Sequence, residues 1–266
     1  MKLSEEMKNK TLLSFELFPP KTEKGLQNLP GTIDHLMKYN PSYISCTYGA
    51  GGGNVGANRE VCQMIKNAGT TPVTHFTVIK NTKEGIKEQL DQYLVDGVDH
   101  MLALRGDIPL GETTTCGDFD YATDLVKFVR DTYGDKFEIA VAGSPEGHIS
   151  CRSLESDIAV LKQKQDNGAD YIMTQLCWDM EQFKYWLDAI RKAGITMPVD
   201  VGVMPILDQA ATINMALSRN GCVMDSELCR LISRNWLFPN PFNAKDADGK
   251  PFDMFYEDKV KRFKEE

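Results

Sequence analysis

Alternation between short apolar runs and amphipathic stretches is the feature of this sequence that most constrains its fold. Each apolar run is rich in β-branched residues and precedes a stretch of helical length whose apolar residues recur three and four positions apart. The predicted strands are Leu12–Phe18, Tyr43–Tyr48, Pro72–Ile79, His100–Gly106, Phe137–Ser144, Tyr171–Trp178 and Val199–Ile206. The predicted helices cover 22–39, 58–69, 82–97, 121–133, 153–167, 179–193 and 208–220. This order predicts an α/β fold with a parallel sheet and helices packed outside it.

Two architectures fit this alternation, an open doubly wound sheet and a closed (β/α)8 barrel. The regular units, without a change in composition, favour a TIM-type (β/α)8 barrel formed by a single domain over residues 1–266. A short helix at 225–235 is followed by a Pro/Asn/Phe-rich insertion at 237–252 and a charged helix start. The eighth strand is therefore absent from the predicted set. We expect the C-terminal end of the barrel to be truncated or closed by another element.

Composition excludes several classes of function. The chain has 30 basic and 38 acidic residues and a net charge of −8, so it lacks the basic balance of a nucleic-acid-binding protein. No apolar run reaches the ~18 residues of a membrane span, and the N-terminus has no apolar signal segment. The 7 cysteines form no C-x-x-C pair and the 4 histidines lack metal-ligand spacing. We expect a cytoplasmic protein with reduced thiols, no metal, and no nucleic-acid or membrane partner.

Polar residues near the C-terminal strand ends are the first candidates for a site, because the βα loops of a barrel form its active site. Glu16 stands among aromatic residues, where burial would raise its pKa and make it a candidate general acid; an ion pair or a solvated carboxylate is the alternative. The run 105–107, Arg-Gly-Asp, combines a phosphate-binding cation with a carboxylate, although a surface ion pair fits as well. His75 is more typical of a satisfied core histidine. Gln175, in an apolar strand, requires hydrogen-bond partners that a ligand could supply.

A glycine-rich loop at 49–56 contains a G-x-G-x-x-G match over residues 51–56, between a strand and a helix. A dinucleotide-binding fold would carry an acidic residue on the next strand to hold the ribose, but residues 72–80 contain neither Asp nor Glu. We interpret the segment as a flexible βα loop, and an NAD-binding dehydrogenase is the weaker alternative.

Several segments taken together resemble the methylenetetrahydrofolate reductase family, which are flavoproteins built on a (β/α)8 barrel. The segments are SFELFPPKT at 14–22, SCTYGAGG at 45–52, THFT at 74–77, LALRGDIP at 102–109, YATDLV at 121–126, AVAGSPEGH at 140–148 and DNGADYIMTQLCWD at 166–179. They occur in order between residues 12 and about 235, and the first and fourth together are specific to the family.

The resemblance implies an FAD-dependent reduction of 5,10-methylenetetrahydrofolate to 5-methyltetrahydrofolate by ping-pong hydride transfer. It assigns Glu16 as the general acid that protonates the folate nitrogen and Asp107 as the acidic residue beside flavin and pterin. Gln175 matches the glutamine shared by folate and nicotinamide. The positions that match FAD-binding residues are Thr47, Tyr48, Ala50, His75, Arg105, Gly106, Asp107, Ala122, His148, Asp157 and Lys164.

The sequence departs from the family pattern at three places. Ser144 stands where the family often has an aromatic residue, Ala211 and Met215 stand where many members have Gln and Phe, and the last strand with its arginine has no counterpart. These departures do not decide whether the electron donor is NAD(P)H or a protein. They also motivate an alternative function, a partner-dependent or non-catalytic flavin electron-relay subunit of a larger complex. Because the family commonly forms oligomers, we expect one here. The aromatic segment 236–242 is either an anchor for a second subunit or a loop folded back on its own chain.

Overall fold

The computed structural model describes residues 2–20, 22–48, 55–108, 111–206, 209–217, 222–224 and 226–236. The chain divides into two compact units, Met1–Val203 and Met204–Glu266. In the first unit the strands are β1 (Ser14–Leu17), β2 (Tyr43–Cys46), β3 (Thr71–Thr77), β4 (His100–Leu104), β5 (Glu138–Gly143), β6 (Tyr171–Thr174) and β7 (Val199–Asp200). The helices there are α1 (Leu3–Met7), α2 (Glu23–Met37), α3 (Val55–Asn67), α4 (Lys83–Val95), α5 (Ala122–Tyr133), α6 (Leu154–Asp166) and α7 (Met180–Lys192), with a 3-10 turn at Gly134–Lys136.

The second unit contains two described helices, α8 (Gln209–Leu217) and α9 (Ser226–Trp236). The residues of the aromatic segment beyond Trp236, and the glycine-rich loop up to Asn54, lie outside the described residues. The single domain predicted over 1–266 stays a prediction. None of the helices in the described part of the chain is long and apolar enough to cross a membrane.

The seven strands form one parallel sheet whose order in space is their order in sequence, from β1 to β7. A helix follows each of the first six strands and returns the chain to the next one. This is the connectivity of a TIM-type barrel over seven of its units, so the predicted fold class is confirmed. The residues described by the structure contain no eighth strand, as the sequence predicts.

The two faces of the sheet carry different side chains because successive residues of a strand point to opposite sides. Alternate residues such as Ile44, Phe76 and Ile139 pack with the helices in one large buried cluster. Other strand residues form a second cluster on the inner face together with Leu3 of α1: Tyr43, Val73, Leu102, Ala140 and Tyr171. On that inner face Ser14 Oγ of β1 lies 3.4 Å from Asp200 Oδ2 of β7, and the Tyr43 hydroxyl donates to the same carboxylate. The first and last strands therefore approach each other across the interior.

Helix α1 was not predicted from the sequence, and tertiary contacts explain why a five-residue helix forms. Leu3 is buried in the inner cluster, and the N–H groups of Leu3 and Ser4 donate to the carboxylate of Glu138 at 2.7 and 2.8 Å. Glu138 is the first residue of β5, so α1 covers the N-terminal ends of the strands. A helix this short has little stability of its own, so the pattern of its sequence carries no signal.

The predicted strands were too long at their C-terminal ends, above all the last two. β6 ends at Thr174, so Gln175 lies just after the strand and not within it. β7 has two residues where Val199–Ile206 was predicted. Beyond β7 the Gly202 N–H donates to the side chain of Thr174, at Oγ1 and 2.9 Å, and the two residues are so close that a Cβ at Gly202 would lie 2.6 Å from the Thr174 carbonyl oxygen.

Candidate active site at the C-terminal ends of the strands

Glu16 occupies the mouth of the strand array. It is the third residue of β1 and points to the inner face, like Ser14, whereas Phe15 and Leu17 pack towards the helices. Its side chain keeps 46% of its surface accessible, but protein atoms surround the carboxyl group on its other sides. This burial raises the pKa of Glu16 above the ordinary 4.5. The side chain is thus more open than the sequence suggested, and it can meet a ligand that enters from the strand ends.

His75 of β3 faces Glu16 across the mouth. Its Nε2 lies 4.0 Å from Glu16 Oε2, too far for a hydrogen bond. Burial lowers the pKa of His75 to about 4, so its ring is neutral at neutral pH. Two residues further along the same face, Thr77 is also buried. Among the described residues, neither His75 Nε2 nor Thr77 Oγ1 has a hydrogen-bond partner.

These two unpartnered atoms indicate that the mouth is built for a polar ligand. A buried polar group without a hydrogen-bond partner lowers the stability of the folded state by about 1–3 kcal/mol. Two such groups at the end of one strand therefore destabilise the fold substantially. A ligand with donor and acceptor groups in the mouth would remove this penalty. The donor set also fits a flavin cofactor, whose ring and side chain carry hydroxyl, carbonyl and N–H groups.

The Arg105-Gly106-Asp107 turn follows β4 and brings a charged pair next to β3. Gly106 has φ +86°, and a Cβ there would lie 3.1 Å from Thr77 Cβ. Only glycine therefore permits both the backbone conformation and the close approach. Arg105 Nε donates to the Gly106 carbonyl at 3.2 Å, and Asp107 is exposed to solvent. The structure thus places all three residues at the same edge of the sheet as Glu16.

The connection between β5 and α6 brings three more predicted residues together. Asp157 Oδ2 accepts the backbone N–H of His148 at 3.2 Å, and Lys164 Nζ donates to the Ala142 carbonyl of β5 at 2.9 Å. Burial lowers the pKa of His148, the charge of Asp157 raises it, and the charge of Arg105 lowers it. Lys164 and Asp107 also contribute, in opposite directions. These charged groups are therefore close enough to form one mixed-charge cluster.

The remaining predicted residues lie on several different elements. Thr47 follows β2, and its N–H donates to the Leu17 carbonyl at 2.9 Å, next to Glu16. Gln175 Oε1 accepts the N–H of Leu176 at 2.9 Å. Ala122 is the first residue of α5, whose N-terminus lies at the same edge of the sheet. Ala50 lies outside the described residues.

Tyr48 is separated from the other predicted residues by the sheet. Its side chain is fully buried, packs against Phe76, and donates a hydrogen bond to Gln89 of α4. The hydroxyl group therefore lies on the helix side and not at the mouth.

Sequence reasoning missed two polar residues, Thr77 and Asn58. Thr77 had a readable signal, since it lies two residues after His75 and shares its face of the strand. Asn58 is fully buried on α3 and shares its apolar face with Val61, Cys62 and Ile65. A polar residue on an apolar helical face was the available signal. In the described ranges, no group of three or more His, Cys, Asp or Glu side chains could hold a metal ion.

Comparison with known proteins identifies the family. The sequence model of the methylenetetrahydrofolate reductases matches residues 2–227. The chain belongs to the methylenetetrahydrofolate reductase family. Methylenetetrahydrofolate reductase (NADH) 1 of Arabidopsis thaliana is 38% identical over 219 residues, which are 77% of this chain and 37% of the relative. The 5,10-methylenetetrahydrofolate reductase of Escherichia coli is 34% identical over 202 residues, 76% of this chain and 67% of the relative.

The chain thus spans little more than a third of the length of its plant relative, 37%. Among solved structures, a Clostridium thermocellum protein described as binding two copies of 5-methyl-5,6,7,8-tetrahydrofolic acid has a TM-score of 0.62. The two sequences are 14% identical, and the match covers 87% of this chain and 79% of the Clostridium thermocellum chain. At this identity the likeness supports only the fold of this methylenetetrahydrofolate reductase family member.

Proposed function

We propose that this protein binds FAD without a covalent bond and reduces 5,10-methylenetetrahydrofolate to 5-methyltetrahydrofolate. The observation that carries the proposal is Glu16: a carboxyl group with a raised pKa at the open mouth, opposite a neutral His75, in a chain of this family. A general acid needs a pKa near the working pH and access to the substrate. The raised pKa of Glu16 shifts the carboxyl group towards that range, and its side chain is open to the mouth.

The residues that would hold FAD lie along the strand ends from β2 to α6. When bound, FAD supplies the hydride chemistry that amino-acid side chains cannot provide. Arg105 and His148 bring donors towards the negative pyrophosphate, and Lys164 adds positive charge from behind them, although its Nζ already donates to Ala142. His75 Nε2 and Thr77 Oγ1 would find their missing partners in the cofactor. Thr47, Ala122, Gly106 and Asp157 complete the proposed set.

The role proposed for Glu16 is to give a proton to the folate nitrogen whose bond to the methylene carbon must break. A protonated carboxyl group can do this, whereas a carboxylate cannot. A positive charge on His75, at 4.0 Å, would lower the pKa of Glu16 and favour the wrong form. Because burial lowers the pKa of His75 to about 4, no such charge opposes the acid at neutral pH. Asp107 and Gln175 would contact the pterin from the neighbouring strand ends.

We further propose that the electron donor and the folate use the same mouth in turn, which is a ping-pong scheme. The plant relative carries NADH in its name, which supports NADH as the first donor to test. NADPH and a protein electron donor are the next candidates to test. Parallel lines in double-reciprocal plots of initial rates against the two substrates are the expected result.

Two measurements test the function and separate it from the electron-relay alternative. Purified protein reconstituted with FAD should show flavin absorbance and should reduce methylenetetrahydrofolate with a chemical donor and no partner protein. A flavin-loaded chain that accepts electrons but reduces folate only when a second protein is added supports the relay subunit instead. A chain that binds no flavin contradicts both.

A further inference from the structure

Asn58 is a fully buried amide behind the proposed flavin site. It lies in the first half of α3, on the helix side of the sheet, and none of its surface is accessible. The side chains of Glu16, Thr47 and His75 belong to the opposite, inner face, so Asn58 touches no ligand in the mouth. Its hydrogen bonds to backbone and hydroxyl groups connect it to the site.

Both amide hydrogens of Asn58 bind the backbone where β2 ends. Nδ2 donates to the Cys46 carbonyl at 2.9 Å and to the Thr47 carbonyl at 3.1 Å. Cys46 is the last residue of β2 and is in register with Thr74 of β3, whereas Thr47 lies just beyond the strand. The Asn58 side chain thus binds the backbone on both sides of the point where β2 ends.

The oxygen of the same amide binds two hydroxyl groups from other elements. Asn58 Oδ1 accepts from Thr74 Oγ1 at 2.8 Å and from the Tyr93 hydroxyl at 2.7 Å. Thr74 belongs to β3 and Tyr93 to α4. The Cys62 thiol, one turn further along α3, also donates to Oδ1 at 3.5 Å, so the amide uses its full hydrogen-bonding capacity. Its orientation is therefore fixed, and so is the position of the two carbonyls.

The groups held by Asn58 are next to the residues that carry the proposed function. Thr74 precedes His75 directly in β3. Thr47 is itself a proposed FAD contact, and its N–H donates to the Leu17 carbonyl, one residue after Glu16. One buried side chain therefore connects the end of β2 with the middle of β3 and, through Thr47, with the end of β1.

We infer that Asn58 is a positioning residue, which sets the backbone of Thr47 and thereby the binding of FAD. This inference rests on the proposed function. The alternative is that Asn58 only stabilises the fold. The two differ in which of its hydrogen bonds matter: positioning depends on the donations to Cys46 and Thr47, whereas stability depends on all of its hydrogen bonds.

The test compares two variants of the full chain. Asn58→Ala removes every bond, and Tyr93→Phe, the matched control, removes one bond to Oδ1 but keeps both donations to the backbone. We measure the FAD dissociation constant by fluorescence titration well below each unfolding temperature. We expect binding weaker by about tenfold or more in Asn58→Ala, and within about twofold of wild type in Tyr93→Phe, although both variants are less stable. Unchanged FAD affinity in Asn58→Ala, or an equal loss in Tyr93→Phe, overturns the inference.

If Asn58→Ala does not fold, Asn58→Asp decides. This variant has the same shape, and its neutral acid keeps one donor, but its carboxylate would face two carbonyl oxygens. We expect its FAD affinity, relative to wild type at each pH, to fall as pH rises. An affinity ratio that does not change with pH overturns the inference.

Hydrogen exchange separates this inference from the proposed function. If wild type binds no FAD, the proposed function is wrong. The inference about the Thr47 backbone still requires that an Asn58 variant speed exchange of the Thr47 amide more than that of the β3–β4 amides. Exchange that increases evenly over β1 to β4 contradicts it.

Discussion

The ion cluster at the N-terminal ends of the strands predicts a pH-dependent stability that a single substitution should remove. His100, the first residue of β4, lies between two carboxylates, with Nδ1 2.6 Å from Asp99 Oδ1 and Nε2 3.0 Å from Glu138 Oε2. A cavity of about 220 Å³ beside it is lined by Lys2, Asp99, His100, Asp135, Lys136 and Glu138. Because Glu138 also accepts the N–H groups of Leu3 and Ser4, this cluster holds α1 in place.

The magnitude follows from the pKa of His100. Burial alone would lower it, but the hydrogen bonds and charges of Asp99 and Glu138 outweigh burial and raise the pKa from 6.5 to about 9. The folded pKa lies above the unfolded one, so the stabilisation is fully present below pH 6.5 and is lost as pH rises through 9. At about 1.4 kcal/mol for each pKa unit, the loss over this range is about 3 kcal/mol.

The assay is urea unfolding of wild type and His100→Gln, followed by tryptophan fluorescence, at several values between about pH 6 and pH 10. Glutamine keeps a donor but does not titrate, so the difference between the two curves isolates His100 from other titrating groups. We expect wild type to lose about 3 kcal/mol more than the variant across this range. Parallel pH dependences in the two proteins would refute the reasoning.

Three further predictions concern the site and the core. Glu16→Gln should still bind FAD, and a donor should still reduce that FAD, but folate reduction should slow by about 100-fold or more. In wild type, folate reduction should fall as pH rises through the raised pKa of Glu16. Unchanged folate turnover in the variant contradicts the assignment. Arg105→Ala should weaken FAD binding more than Lys164→Ala in a fluorescence titration, because Lys164 already donates to a backbone carbonyl; equal losses contradict this. Gly143→Ala should destabilise the protein by about 1–3 kcal/mol in urea unfolding, because a Cβ there would lie 2.7 Å from Ile172 Cγ2; wild-type stability contradicts it.

The fold was predictable in large part because several helices begin with local signals. Thr82 Oγ1 accepts the N–H of Gly85 at the start of α4, and Asp179 Oδ1 accepts that of Glu181 at the start of α7. The helix predicted at 82–97 is observed at Lys83–Val95. Strand ends have no such signal, since a strand continues only as far as its neighbour pairs with it, and β7 stops after two residues.

The site was predictable only in part, for a related reason. Glu16 and Arg105 stand out in the sequence because charged residues at strand ends require an explanation. Asn58 lies within a helix, and four of its partners come from three other segments of the chain, so only the folded structure brings them together. Thr77 looks like an ordinary β-branched strand residue until its buried hydroxyl is found without a partner among the described residues.

Two glutamates on the inner face show how position decides chemistry in this fold. Glu138, at the N-terminal ends, is buried, which would raise its pKa, but His100 and the N–H groups of α1 outweigh burial and lower it to about 2. Glu16, at the C-terminal ends, keeps 46% of its side-chain surface accessible, but burial of its carboxyl group still raises its pKa. Glu138 is therefore charged at neutral pH and holds α1, whereas the raised pKa of Glu16 suits the general acid that we propose. The neutral state of His75 maintains this difference, because a cation 4.0 Å from Glu16 would make the second glutamate resemble the first.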